Sequence, residues 1–141
     1  MQANLTTPTK WQLMELLTHS LSEHYADFSA AAGSAGLTAM QAKSLTVLRG
    51  APTSMRSLAA ALTCDASNVT GIIDRLEKRD LVRRAVSPTD RRVKNLVLTE
   101  DGEKAIDMIR ERMEHVQTGL DRLSEEERTE LFRLLTAVFP Q

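Results

Sequence analysis

The sequence predicts a mainly α-helical fold with one small β-hairpin. First, apolar residues recur three and four positions apart in several segments with short gaps between them, which is typical of helices with one buried face. Second, two short β-branched runs, at residues 81–86 and 93–98, flank a Ser-Pro-Thr-Asp turn, a pattern that predicts a hairpin. Third, 141 residues are enough for one domain with its own core.

The composition is that of a globular protein, with 42% hydrophobic and 26% charged residues. No apolar run approaches the ~20 residues that span a bilayer. The N-terminus has no basic segment followed by an apolar stretch, so we expect neither a membrane partner nor a secretory signal. The single cysteine, Cys64, excludes an internal disulfide and suits a reducing compartment. We therefore expect a cytoplasmic protein.

The first predicted helix begins with Thr7 as its cap and Pro8 at its first position. Gly33 and Gly36 are expected to end it. Its apolar residues follow a spacing of three, four and seven: Met14, Leu17, Leu21 and Phe28.

Two shorter helices follow. Thr38 and Gln41 form a capping-box pattern, which predicts the start of a helix whose apolar stripe includes Leu45 and Leu48. After a Gly-Ala-Pro break, residues 55–62 are rich in good helix formers and predict another short helix.

The next helix has two contrasting faces. Asp65 is a suitable N-cap for it. Its predicted buried face contains Val69, Ile72, Ile73 and Leu76. Its other face contains small, polar or basic residues: Ser67, Asn68, Thr70, Gly71, Arg75 and Lys78. The short turn before this helix predicts a helix-turn-helix unit. Asp74 is expected to pair with an arginine of the hairpin, and Glu77 to face solvent.

The last third of the chain predicts two more helices. Thr99 caps the first, with Glu100 and Asp101 at its positive end. Its apolar positions form a heptad seam: Ile106, Ile109, Met113, Val116 and Leu120. Ser124 and Glu127 form another capping box. The final helix is expected to bury four apolar residues: Leu131, Leu134, Leu135 and Val138.

The order helix, helix, turn, helix, strand, basic turn and strand describes a winged helix-turn-helix. Residues 55–106 resemble the core of the MarR family of bacterial transcription regulators. The wing carries the most specific part, where Asp90-Arg91-Arg92 followed by Leu98-Thr99-Glu-Asp-Gly102 matches that family's D-x-R and L-T-x-x-G signature. Asp80 departs from the pattern, because family members usually have Gly there, although Asp tolerates a left-handed backbone better than most residues.

The flanking helices agree with the family plan, so the resemblance covers nearly the whole chain. It implies a single domain over residues 1–141. Within it, residues of about 38–99 form the winged helix-turn-helix lobe. Residues of about 7–32 and 100–139 form N- and C-terminal dimerisation helices.

The charge distribution favours a polyanionic partner. Residues 65–95 carry eight Lys and Arg against five Asp and Glu, a balance of +3. Residues 96–141 carry six against eleven, a balance of −5. Such asymmetry can turn one face of a molecule toward a polyanion, although ordinary solvated charge is the alternative.

Double-stranded DNA is the partner that the residues favour. A helix of about 13 residues is ~20 Å long, and the major groove, about 12 Å wide, admits it. Ser67 and Gly71 are small enough for close approach, while the other polar and basic residues of that face offer hydrogen bonds to bases or phosphates.

The wing completes the predicted DNA-binding site with Asp90, Arg91, Arg92 and Lys94. Adjacent Arg91 and Arg92 repel each other, and phosphate would relieve that repulsion. Asp90 is expected to orient one of the guanidinium groups. The resemblance implies that Arg92 enters a minor groove, where narrow A·T-rich DNA concentrates negative potential.

Two copies are expected to bind together. One helix and one wing make few contacts, and helix-turn-helix proteins commonly bind near-palindromic operators as two-fold dimers. The resemblance implies a homodimer formed by the first and last helices. The alternative is that their apolar seams only fill the protomer's own core.

The resemblance also implies a repressor that a small, often aromatic, ligand releases from DNA. Trp11, His19, His24 and Tyr25 are candidates for the pocket, but no motif identifies them, and no ligand residue is assigned. One alternative is a redox-responsive regulator that uses Cys64. This residue lies just before the helix capped by Asp65, but the chain has no second cysteine to form a disulfide with it.

Three other classes have less support. A metal-responsive regulator would have to use His19, His24, His115 and Glu23, whose spacing gives a weak signal, so no metal site is assigned. A module that has lost DNA binding would be expected to have lost its basic wing. An enzyme is not expected, because His24 and Asp27 have no nucleophile, phosphate loop or metal cluster beside them, and no cofactor is expected either.

Overall fold

The computed structural model describes residues 7–113 and 118–140, which form helices around a small sheet. The mainly helical fold with one hairpin is confirmed. The elements in chain order are α1 (Lys10–Ser34), α2 (Ala39–Gly50), β1 (Thr53–Ser54), α3 (Met55–Leu62), α4 (Ala66–Lys78), β2 (Val82–Val86), β3 (Lys94–Leu98), α5 (Glu100–Glu111) and α6 (Glu125–Val138). Residues 118–120 are also helical.

The core lies where α2, α3, α4 and the sheet meet, with α5 packed against α2. Its largest fully buried hydrophobic side chains come from five elements: Leu45, Leu58, Val69, Ile73, Leu76, Leu96 and Ile106. Burying such a side chain contributes roughly 1.5–3 kcal/mol. The helix-turn-helix unit and the hairpin therefore share one core, which holds α4 in a defined place relative to the wing.

Helix starts follow the predicted caps, with one exception. The side chains of Thr38, Asp65, Thr99 and Ser124 each accept a backbone N–H three residues on, as expected. The first helix was predicted to start at Thr7 and Pro8, and that prediction is wrong, because α1 begins at Lys10 with Thr9 as its cap. The side-chain Oε1 of Gln12 accepts the backbone N–H of Thr9, which completes a capping box; Lys10, at the matching position after Thr7, has no acceptor to do so.

The sheet contains a strand that the sequence did not predict. β1 pairs antiparallel with β3 through Thr53 opposite Leu96 and Ser54 opposite Asn95, giving the order β1-β3-β2. Two residues are too short to show an alternating pattern. The hairpin strands β2 and β3 are each one residue shorter than predicted, and Val86 pairs with Lys94 beside the turn.

The departure from the family pattern at Asp80 is accommodated by the backbone. Asp80 has φ of 55° and ends α4 in the left-handed region, as expected for a residue that replaces glycine there. Gly36 ends α1 in the same way with φ of 70°. Thr63, in the turn between α3 and α4, also has a left-handed φ of 54°, which is unusual for a β-branched residue.

The final helix is not buried within the described protomer, so its predicted burial is left to the expected dimer. α6 has no buried residue; Leu131 is half-buried, and Leu134, Leu135 and Val138 are exposed. The described protomer contacts too little of its apolar face to bury it. The preceding seam is buried only where it meets the lobe, at Ile106 and Ile109. Val116 lies outside the described residues.

Gly102 allows α5 to approach the sheet closely. It is buried in the first turn of α5, where a Cβ atom would overlap the carbonyl oxygen of Leu81 and lie 2.7 Å from Cδ1 of Leu98. Side chains at these distances clash, and a backbone oxygen has little freedom to move. Glycine is therefore required for this helix to dock on the hairpin.

We expect Gly102→Ala to destabilise the protein by about 2 kcal/mol, because the added methyl group overpacks this contact. The free energy of unfolding in urea measures the effect. Gly33→Ala is the matched control, since a Cβ atom added at Gly33 in α1 would have nothing within 4 Å, and alanine there favours the helix. Equal stability of the two variants would contradict the close docking of α5.

Candidate nucleic-acid interface

Helix α4 separates its apolar and polar residues onto opposite faces. Val69, Ile73 and Leu76 are fully buried under the helix. The predicted contact residues are all exposed: Ser67, Asn68, Thr70, Gly71, Arg75 and Lys78. Because the apolar side of α4 is buried in the core, its polar side is left exposed.

Two hydroxyl groups on this face already donate their protons within the protein. Ser67 donates to Oδ1 of Asp65 at 2.9 Å, and Thr70 donates to the carbonyl of Ala66 at 2.9 Å. Their oxygen atoms can still accept hydrogen bonds. The side-chain amide of Asn68 has no hydrogen-bond partner within residues 7–113 and 118–140. Donors on this face are consequently Asn68 and the two basic residues.

The cap of α4 is a charge-assisted one. The carboxylate of Asp65 accepts hydrogen bonds from the backbone N–H of Asn68 and from the hydroxyl of Ser67. These two hydrogen bonds, with that of Asn68 the larger cause, lower the pKa of the Asp65 carboxyl group. A lowered pKa means that the folded state favours the ionised carboxylate. The stabilisation is therefore present above the unfolded pKa and is lost as the pH falls through the lowered value.

The turn of the wing is ordered by its own backbone. The N–H of Ser87 donates to the carbonyl of Val93 at 2.9 Å, and the N–H of Val93 donates to the carbonyl of Asp90 at 3.1 Å. The carboxylate of Asp90 accepts the backbone N–H of Arg92 at 2.9 Å. Asp90 was expected to orient a guanidinium; the structure instead shows it holding the turn, because the main-chain donor lies closer to it.

The tip of the wing carries exposed positive charge. Arg91, Arg92 and Lys94 are exposed, and none of their side chains makes an ion pair within the part of the chain that the structure describes. Val86 and Val93 flank them and are 58% and 38% exposed. Such a tip offers cations and apolar surface without an acidic partner of its own.

Arg84 joins the wing to helix α4. Its Nη2 lies 2.9 Å from Oδ1 of Asp74 and 3.5 Å from Oε2 of Glu77. The predicted pairing of Asp74 with a wing arginine is confirmed, whereas the prediction that Glu77 faces solvent is wrong, because it is half-buried beside Arg84. The sequence did not identify Arg84 as that arginine, because the pairing depends on how β2 packs beside α4.

Two hollows lie between α1 and α2, and the first of them also reaches α5. One, of about 400 Å³, is lined by His24, Phe28, Thr46, Ile106, Ile109, Arg110 and Met113. The other, of about 760 Å³, is lined by Thr18, Leu21, Ser22, His24, Tyr25, Phe28, Lys43 and Thr46. His24 and Tyr25 thus line a hollow, as two of the four candidate ligand residues. Trp11 and His19 line neither of these two hollows; Trp11 donates to Glu15, and His19 contacts Glu23.

The alternative sites gain little from the structure. Cys64 is half-buried, and its Sγ lies 3.6 Å from the carbonyl of Leu62. Within the described residues, no three His, Cys, Asp or Glu side chains are gathered for a metal ion; His115 lies outside them. The same part of the chain contains no helix with the length and hydropathy needed to cross a bilayer.

Known proteins share this architecture. Residues 38–94 match the model of the MarR family. The transcriptional repressor NicR of Pseudomonas putida is 35% identical over 97 residues, which are 68% of this chain and 61% of NicR, so the chain spans about three fifths of this curated relative.

Two solved structures extend the similarity over nearly the whole chain. BpsR of Bordetella bronchiseptica, whose DNA binding is regulated by 6-hydroxynicotinic acid, is 28% identical with a TM-score of 0.67, covering 96% of this chain and 99% of BpsR. CouR of Rhodococcus jostii RHA1, bound to p-coumaroyl-CoA, is 25% identical with a TM-score of 0.71, covering 89% and 91%. The predicted winged helix-turn-helix fold is confirmed.

The contact between the wing and α4 predicts measurable coupling. We expect a double-mutant cycle of Asp74→Ala and Arg84→Ala to give about 0.5 kcal/mol in the free energy of unfolding, because the pair is partly exposed. The coupling should shrink in 1 M salt. Arg83→Ala, on the same strand, is the control and should be additive with Asp74→Ala. Additivity of both cycles would show that the wing is not held by this pair.

Proposed function

We propose that this chain is a member of the MarR family, which the matches to the family model, to NicR and to BpsR support, and that it is a sequence-specific DNA-binding transcription regulator of the cytoplasm. It acts as a repressor that binds a near-palindromic operator as a homodimer, and a small ligand releases it. The observation that carries this proposal is the exposed, polar face of α4 held beside a wing tip whose cations have no acidic partner in the described protomer.

The recognition helix α4 enters the major groove. Its 13 residues make it about 20 Å long, and its exposed face carries no bulky apolar side chain to oppose close approach. Asn68 is free to donate to and accept from a base edge, while Arg75 and Lys78 are suited to guanine or phosphate. Ser67, Thr70 and Gly71 lie at the closest approach.

The wing enters the neighbouring minor groove. Its tip brings Arg91, Arg92 and Lys94 toward DNA, and Arg92 is the inserted side chain. Asp90 contributes indirectly by holding the backbone of Arg92 in the turn. The contact of Arg84 with Asp74 keeps the wing and the recognition helix at one mutual angle, so both grooves are engaged together.

The first and last helices form the dimer. Their exposed apolar side chains include some of the most exposed in the protomer: Trp11, Leu16, Leu21, Phe132 and Val138, each more than 60% exposed. Apolar surface of this extent is typical of an interface. A second copy covers it and brings a second recognition helix to the other half of the operator.

Ligand binding acts through the hollows between α1 and α2, the first of which also reaches α5. They separate the helices that would form the dimer from the DNA-binding lobe, and their walls are mostly apolar with His24, Lys43 and Arg110 at their edges. A ligand shifts DNA binding only if it prefers one arrangement of the two lobes. BpsR and CouR support this part of the proposal, since each is described with a small molecule.

Selection of bound duplexes from a random DNA pool tests whether the protein binds DNA. Small aromatic molecules are then screened for release of the selected duplex. We expect Arg92→Ala to weaken binding to the selected duplex and to lower the slope of log affinity against log salt by about 0.9, the value for one phosphate charge that is no longer neutralised. Lys104→Ala, which removes a cation paired within α5, should leave the slope unchanged. Failure of the unaltered protein to retain any duplex at low salt would refute DNA binding.

The dimer is tested by sedimentation at micromolar concentration. We expect a single species of twice the chain mass, and Leu134→Asp should convert it to monomer, because it places a charge in the apolar face of α6. Arg133→Ala is the control on the same helix, where Arg133 pairs with Glu130. A monomer at this concentration in the unaltered protein would rule out the assembly.

A further inference from the structure

The guanidinium of Arg79 joins the end of the recognition helix to the end of the first helix. Its Nη1 donates to the carbonyl of Gly36 at 2.7 Å, and its Nη2 donates to the carbonyl of Ala35 at 3.0 Å. These residues are 43 and 44 positions apart in the chain. The contact is thus a tertiary one, between elements that the proposed function gives to different tasks.

The acceptors are held in place by the way α1 ends. The N–H of Leu37 donates to the carbonyl of Ala32 at 2.9 Å, and Gly36 has a left-handed φ of 70°, which together form a Schellman ending. Leu37 is buried and anchors the ending in the core. The carbonyls of Ala35 and Gly36 therefore point in defined directions, away from their own helix.

The donor is held by an ending of the same kind on α4. The N–H of Leu81 donates to the carbonyl of Leu76 at 3.0 Å, Asp80 has φ of 55°, and Leu81 is buried. Arg79 is the last residue before this turn. Two rigid helix endings thus meet, and one arginine side chain bridges them.

The chemistry of this bridge requires arginine. The carbonyl end of a helix carries partial negative charge, which favours a cation. The planar guanidinium supplies two parallel donors, whereas lysine supplies a point charge. A Cβ at Gly36 would lie 3.6 Å from Nη1, so the guanidinium packs directly on the glycine backbone. Both geometry and charge select this side chain.

The bridge lies between the two functional parts of the protomer. Helix α1 packs on α2 and α5 and carries an exposed apolar face, while α4 packs on α2, α3 and β2. Arg79 connects α1 directly to α4 without passing through α2. A change in the angle between α1 and the lobe therefore acts on the recognition helix at this point.

We propose that Arg79 is a positioning residue for DNA recognition, setting the spacing of the two recognition helices by fixing α4 to the first helix. The inference rests on the proposed function, because the spacing exists only in a DNA-binding dimer. Half-sites of such dimers lie about one helical turn apart. With the bridge removed, each lobe can turn on its dimerisation helices, so affinity for the native spacing falls and other spacings are tolerated better.

The experiment uses the duplex that the unaltered protein selects from a random pool, together with derivatives carrying one base pair added or removed between the half-sites. Arg79→Ala and Arg79→Lys are compared with Lys104→Ala as the control for loss of one cation. Affinity is measured across a range of salt concentrations, and the oligomeric state and urea stability of each variant are recorded beside it.

We expect both Arg79 variants to lose roughly tenfold in affinity for the native spacing, a typical coupling between sites. The penalty for an added or removed base pair should shrink, while the salt slope stays unchanged. Lysine should fail to rescue, because it lacks the fork of donors. A salt slope lowered by about 0.9 with rescue by lysine would instead identify a phosphate contact and overturn the proposal.

Unchanged spacing preference in variants that still fold and dimerise would overturn it equally. Loss of folding in both variants would show that Arg79 is needed for the fold itself, against a role in spacing. If the unaltered protein selects no duplex, the proposed function fails first, and that outcome is distinct from every result on Arg79.

Discussion

The burial of one side of the recognition helix is the constraint on which the other features depend. Val69, Ile73 and Leu76 lie under α4 with almost no exposed surface, so the helix can neither rotate nor slide without exposing them. The polar side must then face outward, and the hairpin that follows must start from a defined point. Gly102 adds to this by letting α5 pack against the hairpin backbone. The surface that we propose contacts DNA is thus a consequence of core packing.

Two kinds of surface remain unmatched in the protomer, and they require different partners. The wing concentrates guanidinium groups that repel one another, which a polyanion would neutralise. The first and last helices expose large apolar side chains, for which water is a poor environment and a second copy a good one. Because the two surfaces lie on different elements, the proposed dimer leaves both wings free. Contacts of Arg84 and Arg79 join α4 to the wing and to the end of the first helix.

Local signals in the sequence were sufficient for most of the fold. Capping residues such as Thr38 and Asp65 act within one helical turn, so their spacing alone predicts where helices begin. The cap at Thr9 was missed because two threonines compete there, and only Gln12 decides between them. The sequence did not predict β1, because two residues are too few to show the alternating pattern of a strand. The apolar stripe of α6 indicates that its face is covered, and not whether the cover is the same chain or a second copy, so the sequence left both alternatives open. The contacts of Arg79 span more than forty positions, a distance at which no short-range pattern operates.

The engaged protons of Ser67 and Thr70 have a consequence for how bases would be discriminated. In the proposed complex, each hydroxyl presents only lone pairs to the floor of the groove. In the major groove, adenine and cytosine offer amino groups that can donate hydrogen bonds to such oxygens, whereas guanine offers two acceptors. A guanine placed opposite either oxygen would bring lone pair against lone pair. Selectivity at those steps would therefore arise by rejection, from a hydrogen-bonding arrangement already complete in the free protein.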